Sequence, residues 1–139
     1  GLGALDLFST NSVETMPLPV TQVYGSPQWS PDGLKIAYGI VDRNQDVSRI
    51  ETIDVIDDSI TVIASGRTQS ALDGTVVFYP HWSPDSSALL YQFQDVRGYA
   101  DETHIYRINS NGKGKATNLT RDLNSGFNTR PYICAWRVR

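Results

Sequence analysis

Tryptophan recurs at an almost constant spacing, and this regularity limits the possible folds more than any other feature of the chain. Trp29, Trp82 and Trp136 lie 53 and 54 residues apart. The first two lie in near-identical heptapeptides, PQWSPDG at 27–33 and PHWSPDS at 80–86. A period of this length is typical of repeat architectures in which each unit is one small group of secondary-structure elements. The sequence therefore predicts a repeated fold.

The segments around the tryptophans alternate β-prone runs with polar turns. Three pairs of such runs precede the tryptophans: ALDLFST with ETMPLPV, IETIDVID with SITVIAS, and HIYRINS with ATNLTRD. LKIAYGI and ALLYQFQ follow the first two tryptophans and are bounded by turn residues. No window carries a sustained helical period of apolar residues. These patterns predict an all-β fold.

The order of these runs predicts blades of a β-propeller. If the tryptophan strand is A, the run after it B and the preceding pair C and D, the chain reads C-D, A-B-C-D, A-B-C-D, A, about 11 strands. A single sheet of four antiparallel strands cannot bury both of its faces by itself. In a propeller, such sheets repeat along the chain, and each packs face to face on the next blade. We expect a single partial β-propeller domain over residues 1–139, with blade portions at approximately 1–26, 27–79, 80–130 and 131–139.

Each residue type of the repeated heptapeptide has a structural interpretation. The second proline pushes the serine before it into extended backbone and so ends strand A. The aspartate side chain can bond the backbone and the glycine tolerates positive φ, which together give a tight A-to-B hairpin. The tryptophan is expected to pack as an apolar plate between neighbouring blades. The residues with this structural role are Trp29, Pro31, Asp32, Gly33, Trp82, Pro84, Asp85 and Trp136.

The second copy departs from the first at one turn position. Ser86 stands where the first copy has Gly33. If this position requires positive φ, the serine is expected to make the second turn less stable.

A catalytic interpretation of the heptapeptide is less well supported. Ser30 and Asp32 would need a histidine base, and no histidine occupies an equivalent position in the first copy. The sequence also lacks the GxSxG, HExxH, CxxC and GxGxxG motifs. We therefore predict no enzyme activity, no catalytic residue and no cofactor.

Metal and disulfide chemistry are also disfavoured. His81 and His104 are the only histidines, and they lie in different predicted strands without a third ligand at a fitting spacing. The polar stretch at 42–46 lacks the later glycine and bidentate glutamate of an EF-hand loop. Cys134 is the only cysteine, so no internal disulfide can form. No metal site is predicted.

The charge and hydropathy of the chain exclude some partners. Twelve basic and fifteen acidic residues give a formal charge of −3, and the basic residues form no run. This is not the electrostatic footprint of a nucleic-acid or anionic-membrane binder. No apolar run approaches the roughly 18 to 20 residues that a membrane span needs. Because the chain begins with glycine, we expect a processed, trimmed or partial sequence.

The repeat resembles that of TolB-type propellers. The resemblance rests on WSPDG followed by an apolar strand, then IYRIN, the turn SNGKG and a strand ending in NLT, and it extends from about Ala4 to Trp136. It implies a non-catalytic module that binds a protein or another ligand or serves as a scaffold. It also implies a location in the periplasm, at the cell envelope or outside the cell. Prolyl oligopeptidase-like and tricorn-type peptidases carry similar repeats, so a propeller fragment of such a peptidase is the alternative. A carbohydrate-binding propeller is a further alternative.

The lengths of the connections indicate which face would bind a partner. The B-C and D-A connections, at 41–49, 65–79, 95–103 and 121–131, are longer than the A-B and C-D turns and emerge on one side of the blades. This face suits a protein, peptide or polar ligand. The candidate binding residues are Arg43, Arg67, Tyr79, His81, Arg97, Tyr99, Phe127 and Arg130.

About three blades leave the ring of a propeller open. An open arc exposes strand edges and an apolar sheet face. TolB-type propellers have six blades, so two copies of the chain could close one ring. We expect either such a homodimer or the remainder of a longer chain to complete the propeller.

Overall fold

The computed structural model describes residues 4–8, 13–17, 23–42, 44–68, 74–95, 102–123 and 133. Ten strands and one short 3-10 helix form within these ranges. The part of the chain so described contains no helix long and apolar enough to span a bilayer. The elements are β1 (Ala4–Phe8), β2 (Val13–Pro17), β3 (Val23–Trp29), β4 (Lys35–Asp42), β5 (Val47–Asp54), β6 (Ile60–Gly66), β7 (Thr75–Trp82), β8 (Ala88–Asp95), β9 (Glu102–Asn109), β10 (Thr117–Asn118) and the 3-10 helix η1 (Arg121–Leu123).

The strands form two four-stranded antiparallel sheets and one separate hairpin. The first sheet has the order β3-β4-β5-β6 and is named the first blade; the second has the order β7-β8-β9-β10 and is named the second blade. The hairpin pairs β1 with β2. The all-β prediction of four-stranded propeller blades, with strands in the order A-B-C-D, is confirmed. The predicted eleventh strand, at Trp136, lies outside the described residues.

The heptapeptide forms the predicted A-to-B hairpin in both blades. β3 ends at Trp29 and β7 ends at Trp82, each just before the serine that precedes proline. The Ser30 hydroxyl donates to Asp32 Oδ1 at 2.6 Å, and the Ser83 hydroxyl donates to Asp85 Oδ1 at the same distance. These bonds use both the serine and the aspartate to hold the turn. The motif thus forms the same turn in both blades.

Two predicted connections are shorter than expected. The predicted loop at 65–79 is wrong at both ends, because β6 extends to Gly66 and β7 begins at Thr75. β4 extends to Asp42 and β5 begins at Val47, and these two residues pair across the ladder. The predicted loop at 41–49 is therefore wrong, because its outer residues are strand. The polar residues Ser48 and Arg49 made the segment resemble a loop. Both have polar partners in the folded chain: Arg49 pairs with Glu51 of its own strand. Ser48 is fully buried, and its hydroxyl accepts the Val77 N–H of the second blade at 3.1 Å.

Strand β7 crosses one face of the first blade and joins the two blades. It begins beside the end of β6, where the Thr75 N–H donates to the Arg67 carbonyl at 2.8 Å. It ends beside β3, where Trp82 Nε1 donates to the Gln28 carbonyl at 2.9 Å. A Cβ at Gly66 would overlap the Thr75 carbonyl, so the close approach at the start of β7 requires glycine.

The main core lies between the blades. Ala37, Ile50 and Ile63 of the first blade pack against the facing residues of the second blade. Those facing residues are Val77, Trp82, Leu89, Tyr91 and Ile108. A second cluster, Ile36, Tyr38, Ile40 and Ile53, lies on the opposite face of the first blade, because neighbouring strand residues point to opposite sides.

Candidate binding groove

A polar groove of about 700 Å³ lies where the β4–β5 turn meets the connection from β6 to β7. This is the end of the first blade at which the sequence predicts a binding face. Its shape and chemistry depend on six of the residues that line it: Asp46, Arg49, Ser65, Gly66, Arg67 and Thr75. We name it the Arg67 groove.

Arg49 is oriented by a buried carboxylate. It lies on β5, and Nη1 of its guanidinium is 3.4 Å from Glu51 Oε1. Glu51 is buried and its Oε2 accepts the Tyr38 hydroxyl at 3.0 Å. Burial, and then the nearby Glu51, raise the pKa of Tyr38, so Tyr38 remains a neutral donor. This network fixes the Arg49 side chain at the groove while leaving about a third of it, 34%, exposed.

Arg67 and Asp46 form the opposite part of the groove. Arg67 is exposed, and its main chain is held by β7 through the bridge with Thr75. Asp46 has a φ of 55°, and its Oδ1 accepts the Thr68 hydroxyl at 3.1 Å. That hydrogen bond ties the β4–β5 turn to the β6–β7 connection. The groove therefore has fixed walls.

The Arg67 groove presents charges of both signs beside a strand edge. Two guanidinium groups and one carboxylate line it. β6 is the last strand of its sheet, so half of its main-chain groups point away from β5. Such a surface is suited to reversible recognition of a polar, extended segment by ion pairs and main-chain hydrogen bonds.

The other described candidate residues lie farther along β7. Tyr79 and His81 follow Thr75 by four and six positions, which places them about 13 and 20 Å from the strand start at 3.3 Å per residue. His81 is half-buried, and burial lowers its pKa. The structure thus places Arg67 in the groove and the other two at a distance from it. Arg43, Arg97, Tyr99, Phe127 and Arg130 lie outside the described residues.

Tyr79 belongs to an aromatic cluster on the two A strands. Its ring centroid is 4.9 Å from that of Phe78 and 5.8 Å from that of Tyr24. Its φ is 53°, a strained value for an aromatic residue, and 40% of it is exposed. Partial desolvation, and then Tyr24, raise the pKa of Tyr79.

Sequence reasoning missed Tyr24 and Arg49. Tyr24 precedes Phe78 by 54 residues, one more than the 53 that separate the two tryptophans, so aligning the blades on their tryptophans pairs Tyr24 with Val77 instead. The equivalence of Tyr24 and Phe78 appears only in the strand register, where Tyr24 pairs with Gly39 and Phe78 with Gln92. Arg49 fell in the predicted loop at 41–49 and was not singled out. Its signal is the alternation of Arg49, Glu51 and Ile53 on one face of a strand.

Comparison with known proteins supports the fold. No family model matches the chain. The acylaminoacyl peptidase of Pyrococcus horikoshii, in an orthorhombic crystal form, has a similar structure, with a TM-score of 0.57 and 16% sequence identity. The similar region covers 85% of this chain and 20% of that chain, so this chain spans about a fifth of the peptidase's length. At this identity the likeness concerns the fold, and it agrees with propeller blades.

Proposed function

We propose that this chain is a non-catalytic binding module of a β-propeller, of the TolB-like kind, and that it acts in the periplasm or cell envelope. The observation that carries the proposal is the Arg67 groove, which lies at the predicted binding end of the first blade and is fixed on both sides by hydrogen bonds. The partner is a protein that presents an extended polar segment.

The chemistry of the groove favours a segment that contains a carboxylate. Arg49 is already paired with Glu51, whereas Arg67 is exposed and is not paired with any described carboxylate. A glutamate or aspartate of the partner can form a charge-assisted pair with Arg67. The main chain at Ser65 and Gly66 can bond the partner's backbone next to it.

The test uses two labelled heptapeptides, one alternating glutamate with serine and one alternating lysine with serine. We expect the acidic peptide to raise fluorescence polarisation and the basic peptide to leave it unchanged. Arg67→Gln should weaken binding of the acidic peptide about tenfold, equivalent to about 1.4 kcal/mol. Arg107→Gln is the matched control, because Arg107 is exposed on β9 and does not line the groove. Equal losses in both variants, or no binding of the acidic peptide, would refute the proposed role of the groove.

The likeness to the acylaminoacyl peptidase favours a second candidate function. In that case the chain is part of the propeller of a prolyl oligopeptidase-like or tricorn-type peptidase, and the groove helps to position substrate. The parent reading frame distinguishes the two candidates. An α/β-hydrolase segment in the same frame supports the peptidase, and a frame that encodes only propeller repeats supports the binding module.

A further inference from the structure

Two exposed tyrosines meet where the two blades join. Tyr24 lies on β3 of the first blade and Tyr79 on β7 of the second. Their ring centroids are 5.8 Å apart, and the ring planes are inclined by 39°. Tyr24 is 42% exposed and Tyr79 40%, whereas the other tyrosines that the structure describes are buried or half-buried. The two phenol groups are therefore close to each other and open to solvent.

The backbone of the two A strands holds these rings together. Each strand has a bulge, directly after Tyr24 in β3 and directly after Phe78 in β7. The first residues of the bulges, Gly25 and Tyr79, have positive φ, of 79° and 53°. A Cβ on Gly25 would lie 2.9 Å from Cδ1 of Tyr79, so the Tyr79 ring packs directly on the Gly25 main chain. Strained backbone of this kind at an exposed aromatic residue indicates a role for its side chain.

The hydroxyl groups of the two tyrosines interact. Partial desolvation, and then the charge of Tyr24 and a side-chain hydrogen bond with it, raise the pKa of Tyr79. Exposed side chains reorient within nanoseconds, so small rotations bring the neighbouring ring edges into contact. Loss of one electron and one proton converts a phenol into a phenoxyl radical, whose unpaired electron is shared with the ring carbons ortho to the oxygen. Two such radicals with adjacent ortho carbons couple to form dityrosine.

We propose that Tyr24 and Tyr79 are an oxidative modification site, at which an ortho carbon of one ring becomes bonded to an ortho carbon of the other within one chain. The oxidant is hydrogen peroxide, used by a haem peroxidase. Each tyrosine gives up one electron and its hydroxyl proton, the two radicals form the carbon–carbon bond, and the two ortho hydrogens move to the oxygens. The two electrons and two protons reduce one peroxide to two waters, so the chain loses two hydrogen atoms.

The crosslink gives this chain a stabilising bond that it cannot obtain from cysteine. Cys134 is the only cysteine, so no disulfide can form within the chain. A bond between residues 24 and 79 closes a loop that contains β4, β5 and β6. Closing such a loop restricts the unfolded chain and thereby stabilises the folded one. The bond also ties β3 to β7 and joins the two blades covalently.

A second tyrosine pair in the same protein provides an internal control. The ring centroids of Tyr91 and Tyr106 are also 5.8 Å apart, but these rings are stacked, with an angle of 20° between their planes. Tyr91 is only 5% exposed, and burial, followed by the nearby Tyr106, raises its pKa to about 12. The proton that must leave on oxidation is therefore held more strongly in Tyr91. We expect this pair not to couple, although its ring centres are equally close.

Treatment of the purified chain with a haem peroxidase and a limiting amount of hydrogen peroxide, at low protein concentration, tests the proposal. We expect blue dityrosine fluorescence, a single-chain mass lowered by two hydrogen atoms, and a linked pair of peptides that carry residues 24 and 79. Tyr24→Phe and Tyr79→Phe keep the rings but remove the hydroxyls, and each should abolish this link. Tyr106→Phe is the matched control and should leave the yield unchanged. The crosslinked chain should also unfold at a higher temperature than the untreated one.

Three results would overturn the proposal. The first is that oxidation of the original chain gives no dityrosine or gives it only between chains. The second is a within-chain link that persists in both Tyr24→Phe and Tyr79→Phe, because the bond would then lie elsewhere. The third is a loss of yield in Tyr106→Phe equal to that in Tyr24→Phe, because the stacked and buried pair would then be the one that couples.

Discussion

Trp29 and Trp82 end the same strand of successive blades, yet 49% of Trp29 is exposed and only 8% of Trp82. Their local surroundings are alike: each precedes a serine, a proline and an aspartate, and each follows a bulge in its strand. The difference lies in what the neighbouring blade supplies. The first blade gives Trp82 an apolar face and a carbonyl acceptor, and no described residue gives Trp29 the acceptor.

The hairpins that follow the two tryptophans do not differ in this way. In each, the serine N–H bonds a carbonyl five residues ahead at 2.8 Å, and the residue at the last motif position bonds back to the serine carbonyl at 2.9 Å. These bonds lie within one turn and depend on no neighbour. The heptapeptide therefore specifies the hairpin by itself, whereas burial of its tryptophan requires a second blade.

The largest expected effect separates the two tryptophans directly. Trp82→Ala should destabilise the fold by about 3–5 kcal/mol, because it leaves a cavity between the blades and removes the bond to Gln28. Trp29→Ala should cost about 1–2 kcal/mol, since half of its surface is already in water. Urea unfolding at a low protein concentration measures both. Equal losses would contradict the view that the neighbouring blade determines the contribution of the tryptophan.

The difference between bonds within a hairpin and contacts between blades also explains which features could be predicted from sequence. The strands of both blades and their A-to-B hairpins follow from alternation and turn chemistry, which are local. The path of β7 across the first blade does not, because it depends on distant contacts such as that between Ser48 and Val77. The extension of β5 to Val47 was missed for the same reason.

The candidate site was predicted only in part. Arg67 was found because it lies in a long connection. Arg49 was missed because its role depends on Glu51, a buried partner on its own strand, and on Ser65 of the adjacent strand. Pairing across a sheet is not visible in a run of residues. Sequence identified the end of the blade at which the groove lies, and folding determined which side chains line it.

The turn position that differs between the blades allows a finer test. Gly33 has a φ of 74° and Ser86 a φ of 61°. The position therefore adopts the positive φ on which the prediction depended, and the backbone of a serine is more strained there than that of a glycine. Ser86 also accepts the Asp32 N–H at 3.1 Å and thereby links the two hairpins. Ser86 thus strains the backbone of its own turn but forms a hydrogen bond between the two blades.

Substitutions at this position should separate the two contributions. Gly33→Ala should destabilise by about 1–2 kcal/mol, because alanine is disfavoured at positive φ. Ser86→Ala should cost about 1 kcal/mol by removing the hydrogen bond while keeping the strain. Ser86→Gly should remain within about 0.5 kcal/mol of the original chain, because relief of strain offsets the lost bond. Thermal unfolding measures all three, and a loss in Ser86→Gly as large as in Ser86→Ala would show that the strain is negligible.

The smallest expected effect concerns the aspartates of the two hairpins. The Ser83 hydroxyl, and then the hydroxyl and N–H of Ser87, lower the pKa of Asp85 to about 2. The Ser30 hydroxyl, and then the Leu34 N–H, lower the pKa of Asp32. Because the second hairpin has a serine where the first has Leu34, Asp85 gains an extra hydroxyl donor, at 2.7 Å.

Because the pKa of Asp85 is lowered, the contribution of Asp85 to the stability of the fold depends on pH. A carboxyl whose pKa is lower in the folded than in the unfolded chain stabilises the fold above its ordinary pKa, 3.8, and the contribution is lost as pH falls towards about 2. Asp85→Asn should therefore lower the unfolding midpoint at neutral pH, and its gap from the original chain should narrow between about pH 4 and pH 2. Ser87→Ala should raise the Asp85 pKa in a carboxyl NMR titration while leaving that of Asp32 unchanged. If Ser87→Ala left the Asp85 pKa near 2, the extra hydroxyl could not be what distinguishes the two hairpins.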